Sequence, residues 1–110
     1  NVFGTFTKTP DMLTDARGQQ WLDDYRAEFS SEPGPYTMQS YDAVRVMAEG
    51  IKQAGSTDRD KVAEAIHNLS GFELFSGPAV FLADGTLRDS NFVIVQLKED
   101  AFVLYDDLLD

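Results

Sequence analysis

Few side chains in this 110-residue sequence are able to do chemistry. There is one histidine, His67, beside Ile66 in a stretch of helical period, and there is no cysteine. Nucleophilic triads need a histidine between nucleophile and carboxylate, and zinc sites need several Cys or His ligands. No spacing here supplies either set, so His67 reads as a helix-surface residue. The acidic pairs Asp23-Asp24 and Asp106-Asp107 raise carboxylate catalysis or Ca²⁺ binding. Adjacent helical residues do not face each other, and no EF-hand pattern surrounds either pair, so both read as solvated acid. Asn68-Leu69-Ser70 fits the glycosylation sequon but falls at a helix end. Phosphate-cradling glycine loops are absent from the sequence. The stripe Trp21, Tyr25, Phe29 reads as core packing in preference to a ligand platform. The residues taken alone therefore predict no catalytic site, metal or cofactor, and a protein that is not an enzyme.

The elements that must carry these residues come from a chain with 9 basic and 19 acidic side chains and a formal charge of −10. That balance disfavours nucleic acid and anionic membrane, which call for clustered Lys and Arg. Such a chain makes one domain or less. It can bury about 60–65% of its unfolded surface, so the expected core is thin and gains from a partner. The longest apolar run is too short to cross a bilayer. No signal peptide opens the chain, and Val2 to Thr7 reads as a strand already in progress, as in a processed or truncated piece. The lack of cysteine suits an oxidising compartment.

Residues 2–7 predict a strand. Thr9-Pro10 predicts a short turn over 10–14, with Thr9 as its cap. Trp21, Leu22, Tyr25 and Phe29 predict a helix from Asp15 to Phe29, with Gly18 weakening any start at residue 10. The Pro33-Gly34-Pro35 break precedes a helix over 37–54, with apolar positions Tyr41, Val44, Met47, Ala48, Ile51 and Ala54 and a stop at Gly55. Thr57 is the expected cap of a third helix, with Asp58 and Asp60 in its first turn and Val62, Ala63, Ile66 and Leu69 as its buried stripe, ended by Gly71. The remainder predicts β structure: a short strand near 78–81, a turn at Asp84-Gly85, a strand over Phe92–Leu97 buried on both faces, a polar turn at 98–100 and a hairpin partner from Ala101 to Tyr105. The acidic tail from Asp106 is expected to fray. The fold class is α/β.

Three ordered stretches carry a resemblance. They are Pro33-Gly34-Pro35-Tyr36 with Ser40-Tyr41-Asp42-Ala43-Val44; Ala48-Glu49-Gly50-Ile51-Lys52-Gln53-Ala54-Gly55-Ser56 with Asp60 to Ile66; and Phe75-Ser76-Gly77-Pro78-Ala79-Val80-Phe81 with Asp84-Gly85 and Val93-Ile94-Val95-Gln96. Together they resemble the C-terminal part of the branched-chain-amino-acid type of periplasmic binding protein, the type I two-lobe receptors of ABC importers. The resemblance implies three main helices, short strands and a C-terminal hairpin. It places residues 1–9 as strand and interlobe crossover, 10–88 in part of the N-terminal lobe, and 89–110 as last crossover and C-terminal-lobe strands, with Asp89 to Asn91 near that crossover.

By the same resemblance the function is capture of a branched-chain or related amino acid in a cleft between lobes, outside the cytoplasm and in some relatives on a lipid anchor. The partners are that solute and the membrane subunits of the importer. A ligand-sensing receptor or regulator of the same fold is the alternative. Tyr36, following the Pro-Gly-Pro loop, and Phe6, near the crossover, are the candidate ligand contacts. Thr7 and Thr9 are read as hinge and cap residues. An unpaired apolar edge at 92–97 would favour a homo-oligomer.

Overall fold

A computed structural model describes residues 2–89 and 92–105. The chain enters as strand β1 (Phe3–Thr7), turns through a 3-10 turn at Pro10–Met12, and forms helices α1 (Ala16–Phe29), α2 (Thr37–Ala54) and α3 (Arg59–His67). Two-residue strands β2 (Glu73–Leu74) and β3 (Gly77–Pro78) follow, then β4 (Phe92–Lys98) and β5 (Ala101–Leu104). The fold is α/β, with helices and hairpin as the sequence predicts. The expected fraying of 106–110 and part of the 89–91 crossover lie outside the described residues.

Local chemistry accounts for the helix ends. Ser30 closes α1 in the left-handed region at φ 51, and Gly55 closes α2 at φ 58, where a glycine carries no Cβ penalty. The cap of α3 is Asp58 and not Thr57: the Asp58 carboxylate accepts the Lys61 N–H at 3.1 Å. A carboxylate there also faces the positive end of the helix dipole, which a threonine hydroxyl meets less well. Gly18 lies inside α1 because a Cβ there would stand 2.7 Å from Leu13 Cβ. Gly50 similarly lets α2 approach α3, since its added Cβ would be 2.5 Å from Ile66 Cγ1.

The helical body is built on Leu13, Leu22, Met38 and Phe75, with Trp21 packed against them. A polar anchor runs through it. Asp42 is 5% exposed; its carboxylate accepts the Phe75 N–H at 2.8 Å and pairs with Arg45 at 2.9 Å. Arg45 and Arg17 both donate to the Glu73 carbonyl, and Arg17 also donates to that of Leu74. Their guanidinium groups stack on Phe72 and Phe75 at 4.9 and 4.6 Å respectively. The segment from 72 to 75, which holds only the two-residue strand β2, is thereby fixed to α1 and α2. The strand expected near 78–81 is shorter and earlier: Gly77–Pro78 pairs with Glu73–Leu74, and Phe81 only bridges Leu87. The hydrogen bonds at Asp84 and the positive φ of Gly85 form the expected turn.

Sheet order is β1-β4-β5, antiparallel throughout. Strand β4 is therefore central and paired on both sides, not an unpaired edge. Its expected burial on both faces also fails: Val95 is buried, whereas Phe92 is 68% exposed. The reason is that, among the described residues, no helix is layered on either face to receive these side chains. The hairpin to β5 turns through Glu99 and Asp100, both at positive φ, which suits the twist of a two-residue turn. On α2 the expected buried stripe is exposed at Tyr41, Val44, Met47 and Ile51, and the buried positions are Met38, Asp42 and Gly50. Helical period alone does not say which of two faces is covered. Phe29, read as core, is exposed for the same reason; it and Tyr25 stack at 4.6 Å at the open end of α1.

Candidate functional site

The sequence-nominated residues Phe6 and Tyr36 are 30 positions apart and meet in space. Their ring centroids are 5.9 Å apart with planes inclined at 38°. Phe6 comes from the penultimate position of β1, and Tyr36 occupies the N-cap position of α2. Pro33 and Pro35 keep the preceding loop out of helix, so α2 starts where Tyr36 stands. Tyr36 makes no side-chain cap and is 58% exposed, so its ring is free to face a ligand. Phe6 is 36% exposed. Two adjacent rings offer an apolar wall with one hydroxyl donor and acceptor at its margin.

Behind the wall, the Gln39 side-chain amide donates to the Lys8 carbonyl at 2.8 Å. The Gln39 Oε1 and the Oγ1 of Thr7, which precedes Lys8 in the chain, are both buried and without a partner. Thr7, expected as a hinge residue, stands next to that tether in the chain, and Gln39 carries no signal of its own in the sequence, because its partner lies 31 residues away. Thr9 precedes the 3-10 turn as expected, though its hydroxyl makes no cap bond.

Phe6 also borders a cavity of about 450 Å³ between the sheet and the 3-10 turn, with Gly4, Val95 and Phe102 on its floor and Asp11 and Met12 on its wall. That is the size range of small-molecule sites. A second groove, of about 540 Å³, runs between α1 and α2 and is lined by Trp21, Tyr25, Phe29 and Tyr41, with Asp24 and Glu28 at its rim. The aromatic stripe is thus half core and half open groove. Among the described residues no group of His, Asp and Glu could hold a metal ion. His67 ends α3 on the surface, and Asn68 of the sequon donates its side-chain amide to the Glu64 carbonyl at 2.9 Å.

Comparisons with known proteins give one consistent result. The family described as periplasmic binding protein matches residues 1–101. The leucine-, isoleucine-, valine-, threonine- and alanine-binding protein of Pseudomonas aeruginosa is 32% identical over 87 residues, which is 79% of this chain and 23% of that protein. The Leu/Ile/Val-binding protein homolog 1 of Brucella abortus is 29% identical over 101 residues, covering 92% of this chain and 26% of that protein. A leucine binding protein from Thermotoga maritima superposes with a TM-score of 0.77 at 25% identity, covering 94% of this chain and 29% of that one. An ABC transporter substrate-binding protein from Desulfitobacterium hafniense, at TM-score 0.81 and 23% identity, covers 94% of this chain and 30% of that one and supports the fold. The chain spans about a quarter of the length of the curated relatives it matches.

Proposed function

This chain belongs to the periplasmic binding protein family, and we propose that it supplies one wall and part of the hinge of an extracytoplasmic receptor that captures a small amino acid for an ABC importer. The observation that carries the reading is the meeting of Phe6 and Tyr36 in an exposed aromatic wall. Such a wall suits an apolar side chain. It has no fixed charge to hold an ammonium or carboxylate, so the charged ends of an amino acid would need polar groups on an opposing wall. Relatives named for leucine, isoleucine and valine support a branched-chain solute. In this reading residues 1–9 are strand and crossover, 10–88 belong to one lobe, and 89–110 return to the other. Closure of the two lobes would bring the aromatic wall onto the solute.

Calorimetry tests this in the complete receptor carrying the segment. Tyr36→Ala should weaken leucine binding about tenfold, equivalent to about 1.4 kcal/mol. An unchanged affinity removes Tyr36 from the site. The 110-residue chain by itself should show no leucine binding at micromolar concentration, and a micromolar Kd for it would overturn the two-wall mechanism.

A further inference from the structure

Tyr36 and Phe6 sit on different elements, and neither ring is locked by its own hydrogen bond to a neighbour. An exposed aromatic contact alone holds two elements only weakly. Something else must set their spacing if the wall is to have a shape. Among the described residues, one hydrogen bond joins the exit of β1 to α2, the donation from Gln39 Nε2 to the Lys8 carbonyl at 2.8 Å. It closes a short circuit. Lys8 lies two residues beyond Phe6 along nearly extended chain, and Gln39 lies three residues beyond Tyr36 on the helix. Ring contact and amide tether are therefore the two cross-links of one small frame.

We propose that Gln39 is the positioning residue of the aromatic wall: by holding the Lys8 carbonyl on the first turn of α2, it fixes the Phe6 ring against the Tyr36 ring. It does not itself touch the solute. This rests on the reading of Phe6 and Tyr36 as a solute wall only for its functional consequence; the frame itself stands on the geometry.

The chemistry of the residue supports a donor role. Gln39 Oε1 is buried with no partner, as is Thr7 Oγ1. A side chain selected at this position for packing would not carry a desolvated amide oxygen, because Met or Leu fills the same space without that cost. What glutamine adds over those residues is the N–H pair, and one N–H is spent on Lys8. Glutamate, with nearly the same shape, is a pure acceptor when ionised and would set oxygen against oxygen.

The test is solution NMR on the 110-residue chain, with Gln39→Met and Gln39→Glu beside the unaltered protein. The unaltered protein should give cross-relaxation between the Phe6 and Tyr36 ring protons and a slowly exchanging Gln39 side-chain amide. Gln39→Met, which keeps packing volume, should lose most of the ring-to-ring signal. Gln39→Glu should lose it at neutral pH and regain it when the carboxyl is protonated and can donate. Ring contact unchanged in Gln39→Met overturns the proposal, whatever the change in melting temperature. Should either variant fail to fold, the unaltered chain decides: a Gln39 amide exchanging as fast as a solvated one overturns it. The solute reading fails separately, by an unchanged leucine affinity in Tyr36→Ala of the complete receptor.

Discussion

In the helical body Met38 has no exposed surface and Leu13 only 1%, and the polar groups among them are tied down, as Asp42 is by Phe75 and Arg45. In the β1-β4-β5 sheet Val95 alone is buried, while Phe92 and Phe102 are 68% and 60% exposed and stand on opposite faces. The residue types are equally apolar in both regions. The difference lies in layering: Trp21, Tyr41 and Phe75 pack against one another from α1, α2 and the 72–75 segment, whereas among the described residues no helix packs along either face of the sheet, which meets the 3-10 turn and the Tyr36 ring only at its Phe6 end. A strand written Phe-Val-Ile-Val-Gln-Leu expects a layer above and below.

The sharpest way to break this comparison is to truncate the smaller of two residues and see the larger effect. Met38→Ala leaves a cavity in the enclosed body and should cost about 2–5 kcal/mol in urea denaturation. A loss below about 1 kcal/mol would mean that the helical body is as loosely covered as the sheet.

Next in size is the contact between α2 and α3. Gly50→Ala sets a methyl 2.5 Å from Ile66 Cγ1, which can yield only by rotation about χ1, strongly restricted for isoleucine on a helix. The helices must part, at a cost of about 1–3 kcal/mol, read by the same denaturation. Gly55, at the left-handed end of α2, has open space around its position, so alanine there would act through backbone strain and not through crowding.

These positions also mark what the sequence disclosed. Helices α1 and α2, the Gly55 stop, the Asp84-Gly85 turn and the terminal hairpin were legible, because caps, glycines and prolines act over a few residues. Phe6 and Tyr36 are each legible as candidates only through the resemblance and not through period, and their meeting is visible only in the structure. Which face of α2 is buried was not legible: Tyr41, Val44, Met47 and Ile51 make as good a stripe as Met38 and its neighbours, and only the position of the 72–75 segment decides. The burial of Asp42 was not legible for a related reason: Arg45 lies three residues away, but the Phe75 N–H that its carboxylate also meets lies 33 residues away. The role of Gln39 needed the three-dimensional closeness of β1 and α2.

A smaller effect comes from pH. Burial pushes the Asp42 carboxyl above its ordinary value, with the Phe75 N–H and Arg45 opposing the shift. The folded state thus holds this proton where the unfolded state has released it. The group's contribution to stability is greatest below the ordinary carboxylate pKa and declines as pH rises through the folded value. Asp42→Asn removes that titration. The difference in urea midpoint, unaltered protein minus variant, should fall across the acid range and flatten near neutrality. A difference that grows with pH would show that the ion pair with Arg45 outweighs burial.

The smallest expected effect falls on the largest side chain. Phe102→Ser removes an aromatic ring from β5, yet the ring is 60% exposed and borders the cavity beside Phe6. Little area is withdrawn from water on folding there, so the loss should be within about 0.5 kcal/mol. What should change is association. One face of the sheet presents Phe3, Phe92 and Ile94 and the other Leu97, Phe102 and Leu104, all of them exposed, and exposed apolar faces favour association. The net charge of −10 opposes self-contact only over about 8 Å at physiological salt. Sedimentation velocity over a concentration series should show the unaltered chain associating and Phe102→Ser associating less, at nearly equal stability. A ring that proves costly to remove while association is unchanged would mean that the sheet is covered by its own chain after all, and the contrast between the two regions would disappear.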